Sequence, residues 1–203
     1  MTSAALRRNA PLAASNTSRG ARKWTQMQDT TAEIVAAAQR GDRDAQRELY
    51  ELSHQNVYRL MVRMVGLQDA DDLTQQVFLQ AFRRIDQFSG RSQFSTWLYR
   101  LAVNESLQHL RRSKRAQFHV LEHEPMDHSS GHSDNVEQKD LLERALARLE
   151  PDLRSTFLLR EVEDLPYGEI ALALDVPEGT VGSRLNRARR ELKQHLIELG
   201  WEP

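Results

Sequence analysis

Apolar positions recur along most of this chain at helical rather than strand spacing, and the clearest case lies near the carboxy terminus. From Glu178 onward Val181, Leu185, Ala188 and Leu192 fall at i, i+4, i+7 and i+11, one face of a helix. Thr180, Ser183, Arg184 and Arg187 point the other way, and Arg190 adds to the same basic side. Just ahead, Ile170, Ala171 and Leu174 share the face of a shorter pattern, which Asp175-Val176-Pro177 interrupts. Proline is tolerated at the start of a helix but not inside one, so a second helix begins near Glu178. Two amphipathic helices on a short turn, the second presenting cations and hydroxyls, have the form of a helix-turn-helix suited to the major groove of DNA.

The same periodicity organises what comes before. Helical pattern starts at Thr31, and Gly41-Asp42 separates a short first helix from a long second one carrying Leu49, Leu52, Tyr58, Leu60, Met61 and Val65. Gly66 closes it. A third helix begins near Asp69, where acidic residues suit the positive end of the helix dipole. It runs through Leu73, Val77, Phe78, Ala81, Phe82 and Ile85, and its other face holds Asp72, Gln75, Gln76 and Arg83. After a loop around Ser89-Gly90, Phe94, Trp97, Leu98 and Leu101 form the core stripe of a fourth. Left exposed are Ser89, Arg91, Ser92, Arg100, Asn104, Arg111 and Arg112, a mixture of phosphate-binding cations and polar groups able to read an unpaired base.

Between Ala116 and Glu137 the pattern dissolves into polar, acidic sequence broken by Pro125 and Gly131, the composition of a linker. Helical stripes resume with Leu141, Leu142, Ala145, Leu146 and Leu149, then Phe157, Leu158 and Leu159 beyond Pro151. The expected fold is all-α: two helical domains, 29–115 and 138–203, joined by a flexible acidic linker, 116–137, the second domain holding the helix-turn-helix. Residues 1–28 read as a disordered basic tail, and Met27 is an alternative translation start.

Composition adjusts this picture in three places. A formal charge of -1 is low for a DNA binder, but it averages opposed segments: Arg111, Arg112, Lys114 and Arg115 are followed by Glu122, Glu124, Asp127, Asp134 and Glu137. The absence of cysteine excludes disulfides and thiolate-bound zinc and agrees with a cytoplasmic location. No apolar run reaches the length of a membrane span, and Arg7-Arg8 is not followed by the apolar region of an export signal, so no membrane insertion is expected. The linker matches H-x-x-E-H at His119 to His123, with His128 and His132 nearby, but a polar linker supplies neither rigid helix nor cleft. No metal, cofactor or catalytic residue is assigned.

With these residues in view, the run EVEDLPYGEIALALDVPEGTVGSRLNRARREL resembles the carboxy-terminal domain of the extracytoplasmic-function sigma factors, small sigma-70-like subunits of bacterial RNA polymerase. DADDLTQQVFLQAF resembles their polymerase-binding helix, and the Asp86–Arg115 stretch resembles their minus-ten region. The resemblance implies that Asp72, Gln75, Gln76 and Phe78 dock on core RNA polymerase. It also implies that Ser89, Arg91, Ser92, Arg100, Asn104, Arg111 and Arg112 recognise and open minus-ten promoter DNA. Minus-35 DNA would fall to Thr180, Ser183, Arg184, Arg187 and Arg190. An anti-sigma factor is implied as a further partner, and the acidic linker would thread into polymerase. Three positions depart from the family pattern: Gln76 and Gln108 stand where an acidic residue is common, and Gly182 where lysine is usual. Two other readings are a helix-turn-helix regulator that binds DNA without polymerase and a metal-dependent hydrolase using the linker histidines.

Overall fold

The first buried stripe met along the chain is that of α1 (31–39), which turns Val35 and Ala38 inward. The computed structural model describes residues 31–119 and 134–201. The expected tail and most of the expected linker, with His123, His128 and His132, lie outside them. Asp42 caps α2 (Arg43–Val65) by accepting from the Asp44 and Ala45 amides at 2.9 and 3.2 Å, which satisfies amides that no helical carbonyl can reach. Gly66 ends α2 at φ 94°, a conformation that penalises any residue with a Cβ. The chain enters α3 (Leu67–Arg83) at once, two residues earlier than the acidic cluster suggests.

A 3-10 turn (Ile85–Gln87) and a short loop lead to α4 (Phe94–His119). There follow α5 (Asp134–Arg148), α6 (Pro151–Glu161), α7 (Tyr167–Leu174) and α8 (Glu178–Glu198). The outer ends of α4 and α5 both extend into the stretch expected as linker.

Helices α2, α3 and α4 pack on one another as one unit, and α5, α6 and α7 gather around α8 as a second. Leu49, Leu60, Met61 and Leu98 centre the first core; Leu149, Leu158, Leu159, Ile170 and Leu185 centre the second. Burying each such side chain contributes about 1.5–3 kcal/mol. Val181, Leu185, Ala188 and Leu192 are all buried, as their spacing requires. Leu52 and Leu142 are not: at 58% and 41% exposed they lie on the outer sides of α2 and α5, beyond the reach of the packed neighbours.

The two units also touch. α4 packs on α7, and α2 packs on α5 and α6, so the buried apolar residues of both units form one cluster. Among the described residues there is no strand, and no helix is long and apolar enough to cross a membrane.

Candidate nucleic-acid interface

The loop before α4 is built on aromatic side chains. Phe88 meets Phe94 edge to face at a centroid distance of 5.8 Å, and Trp97 lies 5.6 Å from Phe88 and 5.7 Å from Phe94. The loop's entry is fixed from outside by Gln39 at the end of α1, whose amide donates to the carbonyls of Ile85 and Phe88 at 2.9 and 2.8 Å. Above this floor Gly90 takes φ 72°, which glycine adopts without penalty, and Ser89 and Arg91 are exposed. Ser92 is half-buried and its hydroxyl donates to the Gln93 carbonyl. A tethered loop with an exposed hydroxyl and guanidinium, beside a half-buried tryptophan, can hold an unstacked base.

Arg100, Asn104, Gln108 and Arg111 continue the surface as an exposed stripe along α4, at i, i+4, i+8 and i+11. The cations are not equally available. Arg100 pairs with Asp175 at 3.2 Å, whereas Arg112 donates at 3.4 Å to both Glu105 and Gln108. Gln108, one of the departures from the family pattern, therefore helps to orient a neighbouring guanidinium. Glu105 is itself buried and accepts from Gln80 of α3 at 2.6 Å, tying the stripe to the core.

In the helix-turn-helix, Asp175 adopts the left-handed conformation, φ 56° and ψ 48°, where aspartate is one of the few tolerated side chains. The Val176 amide then returns to the Ala171 carbonyl at 3.1 Å, and Pro177 caps α8. Ser183, Arg184 and Arg187 line a shallow groove with Glu150, Asp152 and Leu153 of the α6 start. Arg184 is only 24% exposed and leans on Asp152 at 3.4 Å. Arg187 donates to Glu191 at 2.6 Å, and this hydrogen bond, followed by the carboxylate's charge, raises its already high pKa. Arg190 is exposed, Thr180 is half-buried, and the Ser183 hydroxyl turns back to the Thr180 carbonyl. At Gly182 an added Cβ would meet the Tyr167 ring at 3.7 Å, an ordinary contact.

On α3, Asp72, Gln75 and Gln76 share an exposed face. Phe78 departs from the expected set. It is 3% exposed and packs edge-on against Tyr50 at 4.7 Å, so it supports this surface from beneath and cannot form it. The apolar group that does reach the surface is Leu79, 56% exposed and one turn beyond Gln75 and Gln76. Its spacing from those two residues was the available signal. Among the described residues no cluster of His, Cys, Asp or Glu could hold a metal ion.

The family description Sigma-70 region 2 fits residues 49–116, and Sigma-70, region 4 fits residues 139–192. The ECF RNA polymerase sigma-E factor of Escherichia coli K12 is 34% identical over 172 residues, covering 78% of this chain and 90% of its own. The RNA polymerase sigma-H factor of Pseudomonas aeruginosa PAO1 is 36% identical over 192 residues, covering 86% and 97%. The fold is shared with CnrH, solved with the cytosolic domain of CnrY, at TM-score 0.62 and 20% identity, over 83% of this chain and 97% of that one. It is shared too with the sigma factor RpoE of Bartonella quintana, solved with the anti-sigma factor NepR, at TM-score 0.61 and 23% identity, over 76% and 98%. With both regions present in order and relatives matched over nearly their whole length, the chain belongs to the extracytoplasmic-function sigma factors of the sigma-70 family, which direct promoter-specific transcription by RNA polymerase.

Proposed function

We propose that the two helical units divide the work of this sigma factor. Residues 29–115 bind core polymerase through the exposed Asp72, Gln75 and Gln76 face of α3, and open minus-ten DNA with the 88–93 loop and the α4 stripe. Residues 138–203 read minus-35 DNA through Thr180, Ser183, Arg184, Arg187 and Arg190 on α8. The chain acts without catalytic chemistry of its own, with RNA polymerase in the cytoplasm. An anti-sigma factor, the kind of partner with which the Bartonella quintana protein was solved, is its proposed inhibitor.

The observation that carries the minus-ten assignment is the loop anchored by Gln39 on a Phe88, Phe94 and Trp97 floor, with Ser89 and Arg91 left exposed. Extruding a base from a duplex costs on the order of a few kcal/mol. A loop already held in place spends little binding energy on its own ordering. Cations on α4 then track the separated strand's phosphates and offset the remainder.

Asn104→Ala combined with Ser89→Ala is expected to leave the closed complex nearly intact, because duplex affinity comes mainly from phosphate contacts and from α8. Strand opening should fail, and a promoter mismatched across the minus-ten segment should rescue it. Permanganate reactivity of promoter thymines on paired and pre-opened templates reads both effects. Equal loss on the two templates would show that these residues act in folding or in polymerase docking.

A further inference from the structure

Arg184 and Arg187 are held by different nitrogens. Arg187 meets Glu191 through Nε at 2.6 Å, and Arg184 meets Asp152 through Nη2 at 3.4 Å. A guanidinium can offer a base two adjacent donors at once, either Nη1 with Nη2 across its end or Nε with Nη2 along its side. The nitrogen that a carboxylate takes therefore decides what the side chain can still read.

For Arg187 the end is left open. Glu191 stands four residues further on, one turn along the same face of α8, and helical side chains lean back toward the amino terminus. It takes the nitrogen nearest the chain, so Nη1 and Nη2 have no partner among the described residues. That pair matches O6 and N7 of a guanine in the major groove. The brace is set deeper than the group it holds, with the Glu191 side chain 27% exposed and the Arg187 side chain 57%. A long side chain already oriented in this way spends less binding energy on its own ordering.

Arg184 is the reverse case. Nη2 belongs to both two-donor edges, and the carboxylate against it comes from another helix, the first turn of α6. Two-point contact with a base is obstructed, and the negative charge of Asp152 repels the base acceptors that would compete for the same nitrogen. Single contacts to a phosphate remain open to Nε and Nη1. Glu150 lines the same groove, so this edge of the α8 surface sets carboxylates beside its cations and has little net positive charge with which to hold duplexes of any sequence.

We infer that Glu191 and Asp152 are positioning residues that divide the minus-35 arginines. Glu191 presents Arg187 to a guanine, whereas Asp152 confines Arg184 to phosphates and restrains its hold on DNA of any sequence. The inference rests on the proposed minus-35 role of α8.

The test uses the full-length chain with core polymerase and promoter duplexes randomised across the minus-35 segment. Binding is measured at several salt concentrations, and melting curves check that each variant folds. Arg187→Ala should lower discrimination at one G·C pair by about fivefold or more. Glu191→Ala should relax the same pair by roughly threefold or more, the cost of ordering a loose side chain. Glu191→Gln, which keeps an acceptor for Nε, should restore most of that discrimination. A merely structural loss in α8 would instead weaken all sequences alike. Arg184→Ala should weaken every sequence uniformly and make the slope of log affinity against log salt shallower by about 0.9. Asp152→Asn should strengthen every sequence and steepen that slope, and Asp152→Glu should keep the wild-type slope. Discrimination that survives Glu191→Ala but not Arg187→Ala overturns the brace and leaves α8 as the reading helix. Relaxation at a single base pair in Arg184→Ala overturns the division, and an unchanged salt slope in Asp152→Asn overturns the restraint. Discrimination untouched by Arg187→Ala counts against the minus-35 reading itself.

Discussion

Arg184 and Arg187 lie on one helix face but are held differently, Arg184 against Asp152 of another helix and Arg187 against Glu191 of its own. Exposed pairs of this kind add little to stability, so their use is to fix where each guanidinium points. Truncating either arginine to alanine is expected to remove a base or phosphate contact, a loss of about 1–3 kcal/mol in promoter binding with polymerase affinity unchanged. Footprints on promoter DNA would reveal it, and unaltered protection in both variants would exclude α8 as the reading helix. Gly182, between Thr180 and Ser183, is a different case. Its helical backbone needs no glycine, and the modest gap to Tyr167 has room for a methyl group. Gly182→Ala should therefore raise stability by about 0.5–1 kcal/mol, visible as a melting temperature a few degrees higher. A lowered melting temperature would mean that the Tyr167 contact is tighter than its 3.7 Å separation implies.

Among the elements, α3 separates structure from function along a single helix. Leu73, Val77, Phe78 and Ala81 are buried, whereas Asp72, Gln75, Gln76 and Leu79 face outward. Because the outward face adds nothing to the core, Asp72→Lys should change folding stability by less than about 0.5 kcal/mol. It should nevertheless abolish association with core polymerase if this face is the docking surface. A pull-down with normal polymerase recovery, from protein with a normal melting curve, would assign docking elsewhere. The Gln80–Glu105 bond and the His109–Asp69 contact at 3.1 Å tie α3 to α4, so the faces proposed for polymerase and for minus-ten DNA are held on one packed unit.

For the molecule as a whole, the contact between units, where the Tyr99 phenol of α4 donates to Glu163 in the α6–α7 loop, contributes to its response to alkaline conditions. Burial, and then the charge of Glu163, push the Tyr99 phenol well above the ordinary tyrosine value. A phenol that stays protonated in the fold but ionises in the unfolded chain contributes fully below about pH 10, and its contribution falls as pH rises beyond that value. Tyr99→Phe should cost about 1.5–3 kcal/mol near neutrality, the worth of a hydrogen bond to a carboxylate. Its stability should then decline less than that of the wild type above about pH 10. Denaturant melts of both proteins at neutral and alkaline pH give the comparison, and parallel curves would place Tyr99 outside the titrating contact.

The helices, the short turn at Asp175 and Pro177, and the family were legible in the residues alone, because a period of 3.6 and the backbone limits of proline are local properties. So were the polar faces of α3, α4 and α8, which are what remains when the apolar stripe is removed. Phe78 was misplaced and Leu79 overlooked. The apolar stripe already runs through Phe78, and Leu79 already stands one turn from Gln75 and Gln76; the docking role given to Phe78 came from the family resemblance, which the burial of Phe78 against Tyr50 does not support. Gln39 and Arg154 carried no signal, since a glutamine or arginine that bonds to backbone carbonyls needs no particular residue as its partner. Gln39 reaches carbonyls 46 and 49 residues away, and Arg154 reaches one 90 residues away. Local patterning is enough to say which helices form and which faces stay wet. That Arg100 meets Asp175 and Tyr99 meets Glu163 emerges only in the packed fold, because contacts between distant helices depend on how whole surfaces fit and leave no period along the chain.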